Sequence, residues 1–338
     1  MDEEITFTEA KRENVALLIG MAGASGSGKT KSALELATGL ADGGKIFGID
    51  TEAGRMKHYA SEYHFVHGDM KPPFSPDRYL KAIDRAEQAG AAVIVIDSAS
   101  HSWEGEGGLH DMHDAILTEQ VEAARKSHNG SWQFDEDKTR DRLSVGAWRE
   151  PKTLNKKFVS RLLQCRAHLI MCFRADEKMR IEKVTDDRGR TKTVIIQAKD
   201  LPPNERWSPI CERRLPYELT LSLILTPQNP GYPIPVKLQD QHAAFLPLDR
   251  QIGIEAGRRL AAWARGDAPS HTSPDPDVLA RAASDLAAAA QMSTMDALQT
   301  VWGGLSPAVK HAVGGAVRLA ELKKQIEANA KEKADVAP

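Results

Sequence analysis

Eight consecutive residues carry the first chemical signal, Gly23-Ala24-Ser25-Gly26-Ser27-Gly28-Lys29-Thr30. The spacing G-x-x-x-x-G-K-[ST] suits a loop that wraps phosphate. Its glycines let the backbone approach an anion without Cβ clashes. Successive N–H groups and the N-terminus of a following helix then point at β- and γ-phosphates. Lys29 adds a point charge, and the Thr30 hydroxyl is suited to ligate Mg²⁺.

Such a loop needs a second Mg²⁺ ligand at the end of a neighbouring strand. Residues 92–97, Ala-Val-Ile-Val-Ile-Asp, place an acid after four β-branched residues. Asp97 is therefore the candidate, directly or through water. Hydrolysis also needs a group that orients or deprotonates water. Ser98 follows Asp97 where many ATPases carry Glu, so that carboxylate must come from elsewhere. Glu52 is best placed, just past a strand ending at Asp50. In a parallel sheet that end faces the same crevice as the phosphate loop.

The elements that must hold these groups can be read from periodicity. Residues 15–20 form a short apolar run ending in glycine, hence a buried strand before the loop. After it, Ala33, Leu34, Ala37 and Leu40 recur at helical spacing, and Gly43-Gly44 marks a helix end. Residues 45–50, 92–97 and 168–173 read as further buried strands, with helices over 77–88 and 152–166 between them. This alternation predicts an α/β fold with a central, mostly parallel sheet. Residues 180–197 read as a hairpin turning at 186–189. Strands at 217–225 and 234–238 and a helix at 252–263 complete the main domain, residues 1–266. Residues 100–137 are polar and resist assignment. Residues 267–276 have linker composition. Residues 277–338 are Ala-rich and read as a small helical C-terminal region with a frayed tail.

The chain has 338 residues, 41% hydrophobic and 27% charged, which excludes wholesale disorder and collagen-like classes. No run approaches ~18 apolar residues, so no membrane span is expected. Residues 1–14 form an acidic, polar lead-in without the apolar centre of a secretory signal. Three cysteines, Cys165, Cys172 and Cys211, are too few for a disulfide framework and fit a reducing cytoplasm. Net charge is −2, but it is unevenly spread. From Lys138 to Arg214 there are 20 Lys and Arg against 10 Asp and Glu. A basic middle in an acidic protein is the footprint of an anion-binding face, or of a solvated helix and charged hairpin.

The order GASGSGKT, GIDTE, VIVIDS resembles the RecA-like branch of phosphate-loop ATPases. That resemblance implies a RecA-like core, with ATP and Mg²⁺ as ligands. It implies Glu52 as the catalytic glutamate of a D-x-E after the second strand, and a magnesium-site strand ending in Asp-Ser. It also implies an adenine-stacking tyrosine, Tyr59, which stands seven residues after Glu52 and is followed by Ala60. The γ-phosphate sensor at the end of the next core strand, usually Gln, is here Arg174. The segment beyond it corresponds to a mobile DNA-binding loop, and carries Lys178, Arg180, Lys183, Arg188, Arg190 and Lys192. It lacks aromatic residues for base stacking. The wider layout, over residues 5–266, is similar to phage-encoded RecA-like ATPases of recombination and strand annealing. HLIMCFRADEK and the later run ending in EAGRRLAAWARG add to this, and the C-terminal piece looks like tails of other phage recombination proteins. The resemblance implies single-stranded DNA as partner, self-association as a ring or filament, a single-strand binding protein as a further partner, and the host cytoplasm as location.

Other constellations are weaker. His101, His110 and His113 with Asp111 and Asp114 lack a second ligand pair of clear geometry. Trp103 and Trp132 read as anchors beneath a long loop rather than as base-stacking residues. Arg213 and Arg214 are candidates for an arginine acting on a neighbouring subunit's nucleotide. The alternative function is an ATP-driven motor or loader acting on a protein partner in phage DNA replication or packaging. A third is a nucleotide-gated module with negligible turnover.

Overall fold

Strands buried on both faces read as unbroken apolar runs, and this chain uses them to build its centre. In the computed structural model the first strands are β1 (Leu18–Gly23), β2 (Lys45–Asp50), the short exposed β3 (Val66–Asp69), β4 (Ala91–Asp97) and β5 (His168–Glu177). Farther along come β6 (Arg180–Thr185), β7 (Thr191–Ile196), β8 (Trp207–Pro209), β9 (Leu221–Thr226) and β10 (Asn229–Lys237). The structure describes residues 7, 9–128, 134–185, 191–202, 205–266, 276–291, 295–305, 309–310 and 313–335. The central sheet has the order β10-β9-β1-β5-β4-β2-β3, and β8 pairs with the far end of β5. Along that order all neighbours are parallel except β10 with β9. The molecule is thus an α/β protein with a mostly parallel central sheet.

The helices of this part are α1 (Lys29–Ala41), α2 (Pro76–Gln88), α3 (His101–Glu104), α4 (Leu109–Ser127) and α5 (Glu136–Ala147). They continue with α6 (Arg149–Leu162), α7 (Leu215–Glu218), α8 (Asp240–Ala243) and α9 (Ile254–Arg265). Period-two alternation divides the strand side chains between two cores. Ile19, Met21, Val93, Val95 and Ile170 pack with Leu34, Leu36 and Leu260 of α1 and α9. Leu18, Ala22, Ile94, Ile96 and Leu169 pack with Tyr79 and Ile83 of α2 and Phe158 and Leu162 of α6.

The helix that follows the loop is held by a close crossing. A Cβ at Gly39 of α1 would lie 2.0 Å from the Ile254 carbonyl oxygen, and one at Gly257 of α9 2.3 Å from the Leu36 carbonyl oxygen. Only residues without side chains allow the two backbones this near.

Several expectations need adjusting. The first strand covers 18–23 rather than 15–20, because the apolar run continues through Met21 and Ala22 into the loop glycine. The strand expected from 217 starts at Leu221, since Pro216 opens the helical turn α7. The polar stretch at 100–137 yields α3, α4 and the start of α5. Its apolar residues are few, and Leu117, Val121 and Ala147 make a small separate core.

By contacts the chain divides into two compact units, Met1–Asp267 and Ala268–Pro338. The linker read at 267–276 lies outside the described residues except for Pro276. The second unit holds helices Pro276–Gln291, Met295–Gly304 and Gly315–Asp335. Leu286, Ala290, Leu298, Leu322 and Ile326 form its core. Among the described residues, no helix is long and apolar enough to cross a membrane.

Candidate functional site

Parallel register brings several strand ends to one crevice. Gly23 of β1 is level with Arg174 of β5. Asp97 of β4 is level with Cys172 of β5 and with Asp50 of β2. The loop 23–30, Glu52, Tyr59, Asp97 and Arg174 all line one cavity of about 750 Å³, with Ser27 packed beneath its floor.

The loop owes its path to local backbone chemistry. Gly26 and Gly28 have φ of +79° and +83°, and Gly28 caps α1. Gly23 has no room for a side chain, since a Cβ there would meet the Leu225 carbonyl oxygen at 2.3 Å. The Gly231 N–H of β10 donates to the Ser27 carbonyl at 3.0 Å, so the loop is braced from the side. That brace was not foreseen, and a Pro-Gly pair two hundred residues away offers no local signal for it. Lys29 Nζ donates to the carbonyls of Gly23 and Ala24 at 2.8 and 2.9 Å. The lysine therefore lies along the loop.

Thr30 Oγ1 donates to Asp97 Oδ2 at 2.6 Å. Burial pushes the Asp97 carboxyl above its ordinary range, and Glu52 and Asp50 add to this, while Thr30 and Lys29 oppose it. A carboxylate buried this deeply stays ionised only where a positive charge or hydrogen-bond donors offset its lost hydration.

Glu52 is presented by a turn that Asp50 builds. Asp50 Oδ1 accepts the Glu52 N–H at 2.7 Å, and Oδ2 accepts the Met56 N–H at 2.9 Å. The carboxylate of Glu52 is held by two arginines. Its Oε1 accepts Arg174 Nε and Nη2 at 3.1 and 3.0 Å, and its Oε2 accepts Arg55 Nη1 at 3.0 Å. Burial alone would raise its pKa, but the hydrogen bonds and charges of Arg55 and Arg174 outweigh it and hold the carboxyl below the usual range.

A second layer fixes the strand ends. Thr51 Oγ1 accepts the Ser98 N–H at 2.8 Å, donates to the Ser98 carbonyl at 3.0 Å, and lies 2.8 Å from His101 Nδ1. The Arg174 N–H donates to Ser100 Oγ at 2.9 Å, and its carbonyl accepts the Ile210 N–H at 2.8 Å. Sequence reasoning missed Arg55, Thr51 and Ser100. The three-residue step from Glu52 to Arg55 was the available signal for Arg55.

Tyr59 ends a 3-10 turn, Arg55–Tyr59, on the cavity wall, with its ring 6.4 Å from that of Tyr63. The basic residues beyond β5 stand apart from the crevice, on the β6–β7 hairpin and its root. Lys178 is exposed and its N–H donates to the Arg206 carbonyl. Arg180 pairs with Glu205, and Lys192 is exposed on β7. Lys183 lies opposite Thr193 in the hairpin, with its side chain outside the described set. Arg188 and Arg190 lie outside the described residues. The same hairpin exposes apolar side chains: Met179 is 70%, Ile181 69% and Ile195 61% accessible.

His110 and His113 are not gathered as ligands. Both rings contact Trp148, which stacks on Trp103 at 5.8 Å, and His113 Nε2 lies 3.1 Å from the Ser144 carbonyl. Trp132 lies outside the described residues. Arg213 and Arg214 are exposed just before α7. Among the described residues, no group of three or more His, Cys, Asp or Glu is placed to hold a metal on its own. No protein-family model matches this chain, and no curated protein matches it.

Proposed function

We propose that this crevice binds ATP with Mg²⁺ and hydrolyses it, and that the chain is a RecA-like ATPase acting on single-stranded DNA in recombination or strand annealing. The observation that carries this reading is the contact between Thr30 and Asp97 directly behind a complete phosphate loop. Two hard oxygens 2.6 Å apart approach the ~2.9 Å between adjacent ligands of an octahedral Mg²⁺. The donor set fits such an ion, because Mg²⁺ commonly takes one or two carboxylates plus substrate phosphates and water. Thr30 and Asp97 would hold it, and when bound it neutralises phosphate charge.

The remaining roles fall to the chain's own groups. The N–H groups of 23–30 and Lys29 hold the phosphates. Glu52 orients the attacking water and accepts its proton as the water oxygen bonds to the γ-phosphorus and the β–γ bridging bond breaks. A carboxylate held below its ordinary pKa is a weak base. Glu52 therefore gains basicity when Arg174 turns from it to the γ-phosphate, where a cation also stabilises transferring charge. Tyr59 stacks on the base. Self-association and a single-strand binding protein belong to the same reading.

The test is ATP turnover with and without single-stranded DNA, for wild type and Lys29→Ala. Turnover stimulated by DNA and abolished by the substitution supports the reading. Turnover indifferent to DNA removes the DNA-coupled part.

A second reading is a motor or loader directed at a protein. It is favoured by the exposed Met179, Ile181 and Ile195 on the hairpin, which suit a protein surface better than a phosphate backbone. The salt dependence of DNA binding separates the two, being steep for phosphate contact and absent for a protein-only partner.

A further inference from the structure

Two carboxylates of the crevice, Glu52 and Asp97, follow from neighbouring strand ends, and one side chain stands between those ends. Thr51 lies between Asp50, the last residue of β2, and Glu52, while Ser98 follows Asp97, the last residue of β4. The Thr51 N–H donates to the Asp97 carbonyl at 2.9 Å, which extends the β2–β4 pairing by one residue. Thr51, Ser98 and His101 are all buried.

The protons around Thr51 can be counted. A threonine hydroxyl has one hydrogen and two lone pairs. Three groups surround Thr51 Oγ1: the Ser98 N–H at 2.8 Å, the Ser98 carbonyl at 3.0 Å and His101 Nδ1 at 2.8 Å. The N–H can only donate and the carbonyl can only accept. The single hydroxyl hydrogen therefore goes to the carbonyl, and Nδ1 must bring its own proton. With the proton on Nε2 instead, one hydrogen would face two acceptors, and one buried contact would set lone pair against lone pair. Burial keeps the His101 pKa below its ordinary range, and Arg174 adds to this against Glu52, so the ring carries one proton at neutral pH. The bond that one nitrogen makes then decides which nitrogen holds it.

The ring is fixed from another side. It stacks on Phe74 with centroids 4.8 Å apart and 26° between the planes. Phe74 is itself anchored, its N–H donating to the Glu106 carbonyl at 2.7 Å. His101 opens α3, whose Glu104 lines the nucleotide cavity, whereas His101 is not among the described lining residues. It touches no reacting group and acts at one remove, through Thr51.

We infer that His101 is a positioning residue: its Nδ1–H, donated to Thr51, locks the end of β2 against the end of β4 and so sets where Glu52 stands relative to Asp97. The kinetic consequence rests on the role proposed for Glu52; the lock itself does not. Removing the donor leaves a lone pair of Thr51 unfilled inside the core and frees the hydroxyl to turn from Ser98. Glu52, one residue on, then loses its fixed distance to the crevice, and small misplacements of a water-orienting group are costly.

The experiment uses the full chain with histidine ring nitrogens labelled. In ligand-free wild type, the NMR signal that disappears in His101→Asn should be that of a neutral Nδ1–H ring, and an Nε2–H ring there overturns the inference. His101→Phe keeps a ring against Phe74 but brings no donor, whereas the amide of His101→Asn can place an N–H where Nδ1 stands. Amide hydrogen exchange across Ser98 and Glu52 should therefore quicken in His101→Phe and stay close to wild type in His101→Asn. In ATP turnover, His101→Phe should lower kcat about tenfold to a hundredfold with KM nearly unchanged, and His101→Asn should recover most of it. Thr51→Val should cost as much as His101→Phe, and the pair no more than either alone. Additive costs, an Asn variant as slow as Phe, or a His101→Phe variant that turns over like wild type each overturn the inference. A wild type without turnover removes the role proposed for Glu52, and exchange indifferent to His101 then overturns the lock separately. The tautomer is read on wild type, so it decides the matter if His101→Phe fails to fold.

Discussion

The crevice and the β6–β7 hairpin are both rich in charge, yet they are built on opposite terms. In the crevice the central charged groups are held by fixed partners: Lys29 on loop carbonyls, Asp97 on Thr30, Glu52 between Arg55 and Arg174. In the hairpin Lys178 and Lys192 face solvent beside exposed Met179, Ile181 and Ile195. The first is preorganised, because the core fixes its atoms before any ligand arrives. The strands of the second ladder only with each other among the described residues, and they lie outside the central sheet. Chemistry needs the first kind of surface, and capture of a large, sequence-blind partner tolerates the second.

The sharpest way to break this contrast is Glu52→Gln. It should lower kcat for ATP by ~10²–10⁴-fold while the salt slope of DNA binding stays that of wild type. A changed slope would mean that the two regions are one. Next in size is the support beneath the loop. Gly257→Val must force α9 away from α1, and thermal unfolding should report a loss of about 1–3 kcal/mol. Ile195→Thr on the exposed hairpin should stay within about 0.5 kcal/mol.

Asp97→Asn tests the crevice from another side. Burial raises the Asp97 pKa, so holding it ionised above that pKa costs the ligand-free fold stability. The substitution should raise ligand-free stability by about 1 kcal/mol while Mg²⁺-dependent nucleotide binding, followed by titration calorimetry, is lost. Arg174→Gln probes the coupling of Glu52. Arginine holds the Glu52 pKa down, so this carboxylate's stabilising contribution is present above its unfolded pKa and lost as pH falls through the folded one. Removing that charge should move the acid limb of the turnover profile to higher pH. An unmoved limb would show that Glu52 is not the titrating group. The smallest effect belongs to the hairpin. Lys192→Ala should reduce the salt slope of DNA binding by about one unit, uniformly across sequences.

The same contrast explains what could be read from the sequence. The loop, Glu52 and Asp97 were legible because each follows a strand whose apolar run is hard to mistake, and parallel register then fixes which ends meet. Arg55 and Thr51 were not, because their roles depend on the turn that Asp50 builds with its side chain. The Gly39–Gly257 crossing was hidden for another reason. Two isolated glycines at helical positions look like weak points until their helices are placed in contact. Residues 100–137 were opaque because their helices bury few apolar side chains and rely on rings such as Trp103 and Trp148. β3 escaped notice because its Val-His-Gly-Asp sequence is short, polar and exposed, as an edge strand should be.

One strand links the two regions mechanically. β5 enters the sheet at His168, passes Arg174 and runs on to Glu177, where β8 joins it and the hairpin begins. A strand of six residues spans roughly 17–20 Å. The root of the hairpin is therefore carried on the same strand as the residue that grips Glu52.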